Sequence, residues 1–273
     1  MASNIRTKER VERSRAGSAF ELLSRPDGDA VAAATRDLDR DRPEPGDAER
    51  EPWVLPATTW NALEPDSVYA RRLRTPVLYL VTLAFVPLAF VLAAPIALVN
   101  AWLYGGLGRV LFLQERVGRR GRVYVIYKFR TMSDGEGMSD QARVTRFGRF
   151  LRNSHLDELP QFLNILRGEM CLIGPRPEML ETERWANTVR RGFAERLVLR
   201  PGITGWAQIQ QGYANCGDRE GYMRKAALNR QHRRGLTFAS DVAILVLTVL
   251  WMLRMKGWNP GADYRRASSR ARS

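Results

Sequence analysis

The chain has 273 residues, 45% of them hydrophobic, with 43 Lys/Arg against 29 Asp/Glu and a formal net charge of +14. That apolar content excludes a wholly disordered protein, and two cysteines, Cys171 and Cys216, exclude a disulfide framework. Two histidines, His155 and His232, argue against a multi-histidine metal site, and no nucleophile-elbow, P-loop or zincin motif is present.

The charge is unevenly spread. Residues 1–70 hold 10 Lys/Arg and 14 Asp/Glu, with few large apolar side chains and no sustained period, so a disordered, solvated leader is expected there. Met1 to Ser24 is polar and lacks an apolar h-region, so no signal peptide is expected. From Thr75 to Gly108 there follow 34 residues without a charged side chain or a histidine, more than the ~20 a spanning helix needs. Arg71, Arg72 and Arg74 precede this run, and Arg109, Arg116, Arg119 and Arg120 follow it. Positive charge on both flanks opposes a simple crossing. Pro87 and Pro95 interrupt the run, and each removes a backbone donor. Residues 71–108 are therefore expected to form a bent helix that enters and leaves a membrane on one face; a kinked, tilted span is the alternative.

Residues 109–235 are soluble in character and strongly basic. Val123–Tyr127 is β-branched and aromatic and predicts a short strand. Asp134–Gly137 predicts a loop. Arg143, Arg146, Arg149 and Arg152 recur every third residue, which on a helix makes a basic ridge suited to phosphate groups or simply to solvent. Directly after it stands Asp157-Glu158, the one adjacent carboxylate pair of this basic region. Leu159, Phe162, Leu163, Ile165 and Leu166 follow at helical spacing. Either a capping box from Ser154 to Asp157 or Pro160 at the first helical position would put the carboxylates near a helix N-terminus. Nearby arginines should keep Asp157 ionised. An ionised carboxylate can act as a phosphoryl nucleophile, and two adjacent ones can share Mg²⁺; the same local pattern also serves as a plain acidic cap. Two Gly/Pro-rich turns, Leu172–Glu178 and Arg200–Gln208, each hold an arginine on stiff backbone, as a phosphate clamp or a structural turn would. Val242–Leu253 is too short to span, and reads as a helix lying in a membrane surface or as an amphipathic core helix. Trp251 and Trp258 are placed as interfacial anchors, and residues 236–273 end in a basic tail.

Several blocks, in this order, carry a resemblance. They are Gln114–Gly118, Lys128-Phe129-Arg130-Thr131-Met132, Leu156-Asp157-Glu158-Leu159-Pro160-Gln161, Asn164–Met170, Gly174-Pro175-Arg176-Pro177-Glu178 and Arg200–Gln208. From about Arg71 to Trp258 the chain resembles the bacterial sugar transferases, the monotopic phosphoglycosyl transferases. The resemblance implies transfer of sugar-1-phosphate from a UDP-sugar to undecaprenyl phosphate, with release of UMP. It implies a covalent intermediate on Asp157, Mg²⁺ at Asp157 and Glu158, and phosphate or nucleotide contacts from Lys128, Arg152, Arg176 and Pro177; the residues themselves add Arg130 and Arg200. It also implies a re-entrant helix broken at a Ser-Pro pair, matched here by Ala94-Pro95. Asn229 stands where the family commonly has Asp.

The expected architecture is thus α+β and mostly helical, a monotopic membrane protein with a re-entrant broken helix, a small catalytic domain (109–235) on the cytoplasmic face of the bacterial inner membrane, and surface amphipathic helices. Partners would be the UDP-sugar, undecaprenyl phosphate and the bilayer, with a homo-oligomer allowed and no nucleic acid, since no exposed aromatic motif interleaves the basic residues. The alternative is an inactive membrane-surface scaffold or basic lipid-binding module, which would need the cations but not Asp157.

Overall fold

A computed structural model describes residues 51, 53–135, 139–212 and 216–253. Helix α1 (Ala57–Leu63) leads through a π-turn (Tyr69–Leu73) into α2 (Arg74–Tyr104), the one long apolar helix among the described residues. A β-hairpin follows, β1 (Leu111–Val117) and β2 (Val123–Phe129), then α3 (Arg146–Ser154), a 3₁₀ turn (Leu156–Gln161) and α4 (Phe162–Leu166). The second half holds β3 (Cys171–Ile173), α5 (Leu180–Val189), a 3₁₀ segment (Phe193–Val198), β4 (Gly202–Thr204), α6 (Trp206–Gln211), α7 (Arg219–Arg234) and α8 (Phe238–Leu253). The mostly helical α+β class expected from the sequence is what the chain adopts.

The expectation of disorder up to residue 70 is corrected from Trp53 onward. Trp53 and Trp60 are 2% and 4% exposed, packed with Val117, Leu197, Val198 and Leu236. Burying two indoles removes roughly 200 Å² of each from water, an upper bound of about 5 kcal/mol apiece, which offsets much of the entropy lost in ordering the short helix. Composition averaged over 70 residues hid these two side chains. Residues 1–50 lie outside the described residues, as do part of the predicted 134–137 loop, Trp258 and the basic tail.

Helix α2 has 31 residues and runs unbroken through Pro87 and Pro95, so the expected break at Ala94-Pro95 is not an interruption of helical backbone. A proline forfeits one donor, whereas ending the helix would leave several carbonyls and amides unpaired among apolar side chains. One stripe of α2 is buried: Arg74, Leu78, Thr82, Ala89, Ile96 and Asn100. At its start Arg74 donates to Asp241 (2.8 Å) and to the Ile173 carbonyl (2.9 Å). At its end Asn100 donates to the carbonyls of Val110 (3.2 Å) and Arg130 (3.0 Å). Both ends of a helix about 46 Å long are therefore tied to the same body. Leu78 packs with Ile173, Trp206 and Ile244, and Ile96 with Val110, Phe129 and Leu151. The rest of α2 is exposed and apolar, including Leu80, Phe85, Leu88, Phe90, Val91, Leu98 and Trp102. Ala94 and Pro95 lie on that exposed side.

The two sheets are small. β1 and β2 pair antiparallel, with Phe112 opposite Lys128 and Arg116 opposite Tyr124. β3 and β4 pair in parallel, Cys171 with Gly202 and Ile173 with Thr204. Their junction is too close for side chains: a Cβ on Gly174 would strike the Arg200 carbonyl, and one on Gly202 the Gly174 amide. Asn164, fully buried, accepts from the Tyr127 amide (3.2 Å) and donates to the Val125 carbonyl (2.7 Å), stitching α4 to β2.

Candidate active site

Strand alternation builds one wall of a cavity of about 470 Å³. Phe112, Gln114 and Arg116 recur every second residue on β1, and Lys128 stands opposite Phe112 on β2. Arg130 and Thr131 continue the chain past the strand into the same wall. The opposite wall is α3 and the turn after it. Thr145 caps α3 by accepting from the Gly148 amide (2.9 Å). Gly148 lies so close to the Thr131 backbone that a Cβ would clash with its carbonyl. This close approach lets Arg152 Nε donate to Thr131 Oγ1 at 2.9 Å, which aims the guanidinium into the cavity.

Helix α3 ends at His155, whose φ of 58° lies in the left-handed region. The reversal delivers Asp157 and Glu158 on a 3₁₀ turn to the cavity floor, 8% and 6% exposed. The capping box expected from Ser154 does not form; Ser154 Oγ donates back to the Phe150 carbonyl at 2.8 Å. The acids do stand in the first turn of this 3₁₀ segment, as expected, but the side-chain partners of Glu158 are cations. Lys128 Nζ donates to Glu158 Oε1 at 2.7 Å, and Arg176 to the same oxygen at 3.1 Å. Burial pushes Glu158 up, but Lys128 and Arg176 outweigh it and hold its carboxyl well below the usual range.

Asp157 is shifted the other way, but the nearby cations oppose the shift as expected and leave it largely ionised at neutral pH. Burial, then the neighbouring Glu158 charge, push it up to about 6 against Lys128, Arg152 and Arg176. Its Oδ1 is buried and accepts no hydrogen bond. The dyad is thus one carboxylate clamped by two cations and one with an oxygen to spare, in a cavity also lined by Arg116, Arg130 and Arg143.

Of the residues singled out in the sequence, Lys128, Arg130, Arg152, Arg176, Asp157 and Glu158 all line this cavity. Pro177 is buried behind it, its carbonyl accepting from Arg116 at 3.3 Å. Arg200 does not line it; the β3–β4 junction holds its backbone, where its carbonyl accepts from Cys171 Sγ at 3.4 Å. The basic ridge is split: Arg143 ends a separate one-turn helix (Asp140–Arg143), and Val144 and Thr145 are not helical before α3 begins at Arg146. Arg143 and Arg152 reach the cavity, whereas Arg146 and Arg149 face solvent. Sequence reasoning missed Thr131 and Phe112; the period of two through Phe112, Gln114 and Arg116 was the available signal.

Among the described residues no group of three or more His, Cys, Asp or Glu side chains is arranged to hold a metal. The dyad still fits Mg²⁺ as this ion is commonly held, by one or two carboxylates with substrate phosphates and waters completing the shell. The unpartnered Asp157 Oδ1 is a suitable donor.

The bacterial sugar transferase family model matches residues 71–255. An undecaprenyl-phosphate glucose phosphotransferase of Komagataeibacter xylinus is 34% identical over 205 residues, covering 71% of this chain and 36% of that protein. A UDP-N-acetylgalactosamine-undecaprenyl-phosphate N-acetylgalactosaminephosphotransferase of Aeromonas hydrophila is 45% identical over 118 residues, 41% of this chain and 28% of that protein. The uncharacterized sugar transferase EpsL of Bacillus subtilis is 37% identical over 153 residues, 54% of this chain and 72% of that protein. The first two relatives are much longer, and the aligned part is about a third of each. The matched region holds every cavity residue described above, and the chain belongs to the bacterial sugar transferase family.

Proposed function

We propose that this chain transfers a sugar-1-phosphate from a UDP-sugar to undecaprenyl phosphate at the surface of the bacterial inner membrane, with the cavity on the cytoplasmic side. The observation that carries the reading is the buried, unpartnered Asp157 oxygen at the floor of a cavity walled by arginines and a lysine. Cations without an unpaired acid would suit a binding module; an acid held among them with an oxygen to spare suits phosphoryl chemistry.

In the first step an Asp157 carboxylate oxygen attacks the β-phosphorus of the donor. The bond from that phosphorus to the bridging oxygen breaks, and UMP leaves with the electron pair. In the second step a phosphate oxygen of the lipid attacks the same phosphorus and the Asp157 carboxylate departs. No proton need be transferred in either step. Arg152, held by Thr131, and Arg176, held between two prolines, orient the diphosphate and stabilise charge spread over its oxygens. Lys128 keeps Glu158 ionised. Asp157 and Glu158 would hold Mg²⁺, which supplies further neutralisation of phosphate charge when bound.

The re-entrant anchor is supported by the way α2 docks. Arg74 and Asn100, near opposite ends of the helix, are both bonded to the one body that carries the cavity, with the rest of its surface apolar. A helix crossing a bilayer upright would have to leave that body behind. The apolar faces of α2 and α8 would then lie in lipid.

The test is UMP release by the full chain in phospholipid vesicles, from a panel of UDP-sugars with undecaprenyl phosphate. At least one sugar should give UMP and a lipid-linked sugar phosphate in equal amounts. No release from any sugar would overturn the reading.

A further inference from the structure

Helix α8 has two sides. One packs into the body: Ile244 is 1% exposed, and Thr248 Oγ1 bonds Thr204 Oγ1 at 2.7 Å. The other shows Phe238, Val242, Val246, Val249 and Leu250, an exposed apolar stripe at helical spacing. At the far end of this helix Trp251 turns inward, and its ring lies on the His155 imidazole with centroids 4.4 Å apart and planes inclined by 32°. His155 lines the cavity and stands two residues before Asp157. The stack is therefore a seam between an apolar, unpartnered helix face and the cation-lined cavity floor.

The two proposed substrates make different demands on the cavity rim. A nucleotide sugar is polar throughout and can enter from water. A polyprenyl phosphate must bring its anionic head to Asp157 while its hydrocarbon chain stays on apolar surface. The His155–Trp251 seam joins those two environments within one ring stack. We infer that Trp251 and His155 form the acceptor-side wall of the site, with the first isoprenyl units lying on the Trp251 ring and along the α8 stripe while the phosphate reaches the arginines. This rests on the transfer reaction proposed above. Trp251 is a positioning residue for the acceptor and takes no part in the attack on the donor.

The experiment separates the two half-reactions. Rapid-quench release of UMP without acceptor reads the first, using the UDP-sugar that is most active in the panel. The KM for undecaprenyl phosphate in vesicles reads the second. Trp251→Ala should raise the acceptor KM about tenfold while the UMP burst and the donor KM stay within about threefold. Trp251→Phe, which keeps a ring, should recover most of the loss. His155→Asn keeps a residue tolerant of positive φ but removes the stack, and should likewise raise the acceptor KM more than the donor KM. An unchanged acceptor KM in Trp251→Ala would overturn the inference, as would equal loss in both half-reactions. Absence of a UMP burst from the unsubstituted chain would instead overturn the underlying reaction, and the inference with it.

Discussion

Two buried acidic regions in this molecule are built to opposite ends. Behind the cavity, Glu178 is bonded to Lys225 and Tyr222, and Glu183 accepts two bonds from Arg196 at 2.8 and 2.6 Å. All these charged groups are nearly inaccessible, and each acid has its cation. At the cavity floor Asp157 is about as buried, yet one of its oxygens has no partner and its acidity is weakened. The comparison separates acids that hold the fold from an acid left with the free oxygen that the proposed chemistry needs. A paired buried charge is costly to disrupt and chemically quiet. An unsatisfied one is a local liability that a reaction can use.

The sharpest break of that contrast is Asp157→Asn. It should lower UMP release by a thousandfold or more, with helical content and membrane association unchanged and a Tm no lower than that of the parent chain. A large fall in Tm would place Asp157 with the structural acids. Next, Lys225→Met strands Glu178 in the interior and should cost about 3–5 kcal/mol of stability, read by denaturant unfolding in detergent. Replacing both partners, Glu178→Leu with Lys225→Met, should recover much of that loss.

The same pair sets a pH dependence. Burial raises Glu178, but Lys225 and then Arg196 overcome it and bring its carboxyl down to about 2. A depressed acid stabilises the fold fully above its ordinary value of 4.5 and loses that contribution as the pH falls toward 2. Acid unfolding of the parent chain should therefore steepen in this window, and Lys225→Met should move it to higher pH. The smallest effect is expected where both charges meet water. Arg71 and Asp66 pair at 3.0 Å but are 53% and 99% exposed, so Asp66→Ala should change stability by less than about 1 kcal/mol.

How much could be read from the residues follows the same division. The dyad, Lys128, Arg152 and Arg176 were legible because these charged cavity groups sit in short local blocks. The strand at Val123–Tyr127 was legible from its β-branched and aromatic run, and the chain extends it to Phe129. What escaped depends on contacts distant in sequence. Trp53 and Trp60 gain their place from Val117, Leu197 and Leu236, so no local signal in a charged, proline-rich leader reveals it. The weakened acidity of Asp157 is a balance of burial against charge, and burial appears only when β2 closes over the turn. Arg200 belongs to an arginine-bearing Gly/Pro turn like that of Arg176, but the tight β3–β4 junction takes it elsewhere. Thr145 shows a cap interrupting a three-residue charge period that looked continuous.

The most direct test of the central claim is to mix the chain with its UDP-sugar in the absence of lipid acceptor, quench, digest and weigh the peptides. The account predicts one sugar-phosphate adduct on the peptide containing Asp157, formed with an equal amount of UMP and discharged when undecaprenyl phosphate is added. Turnover to a lipid-linked product with no such adduct, or with the adduct on another residue, would contradict it.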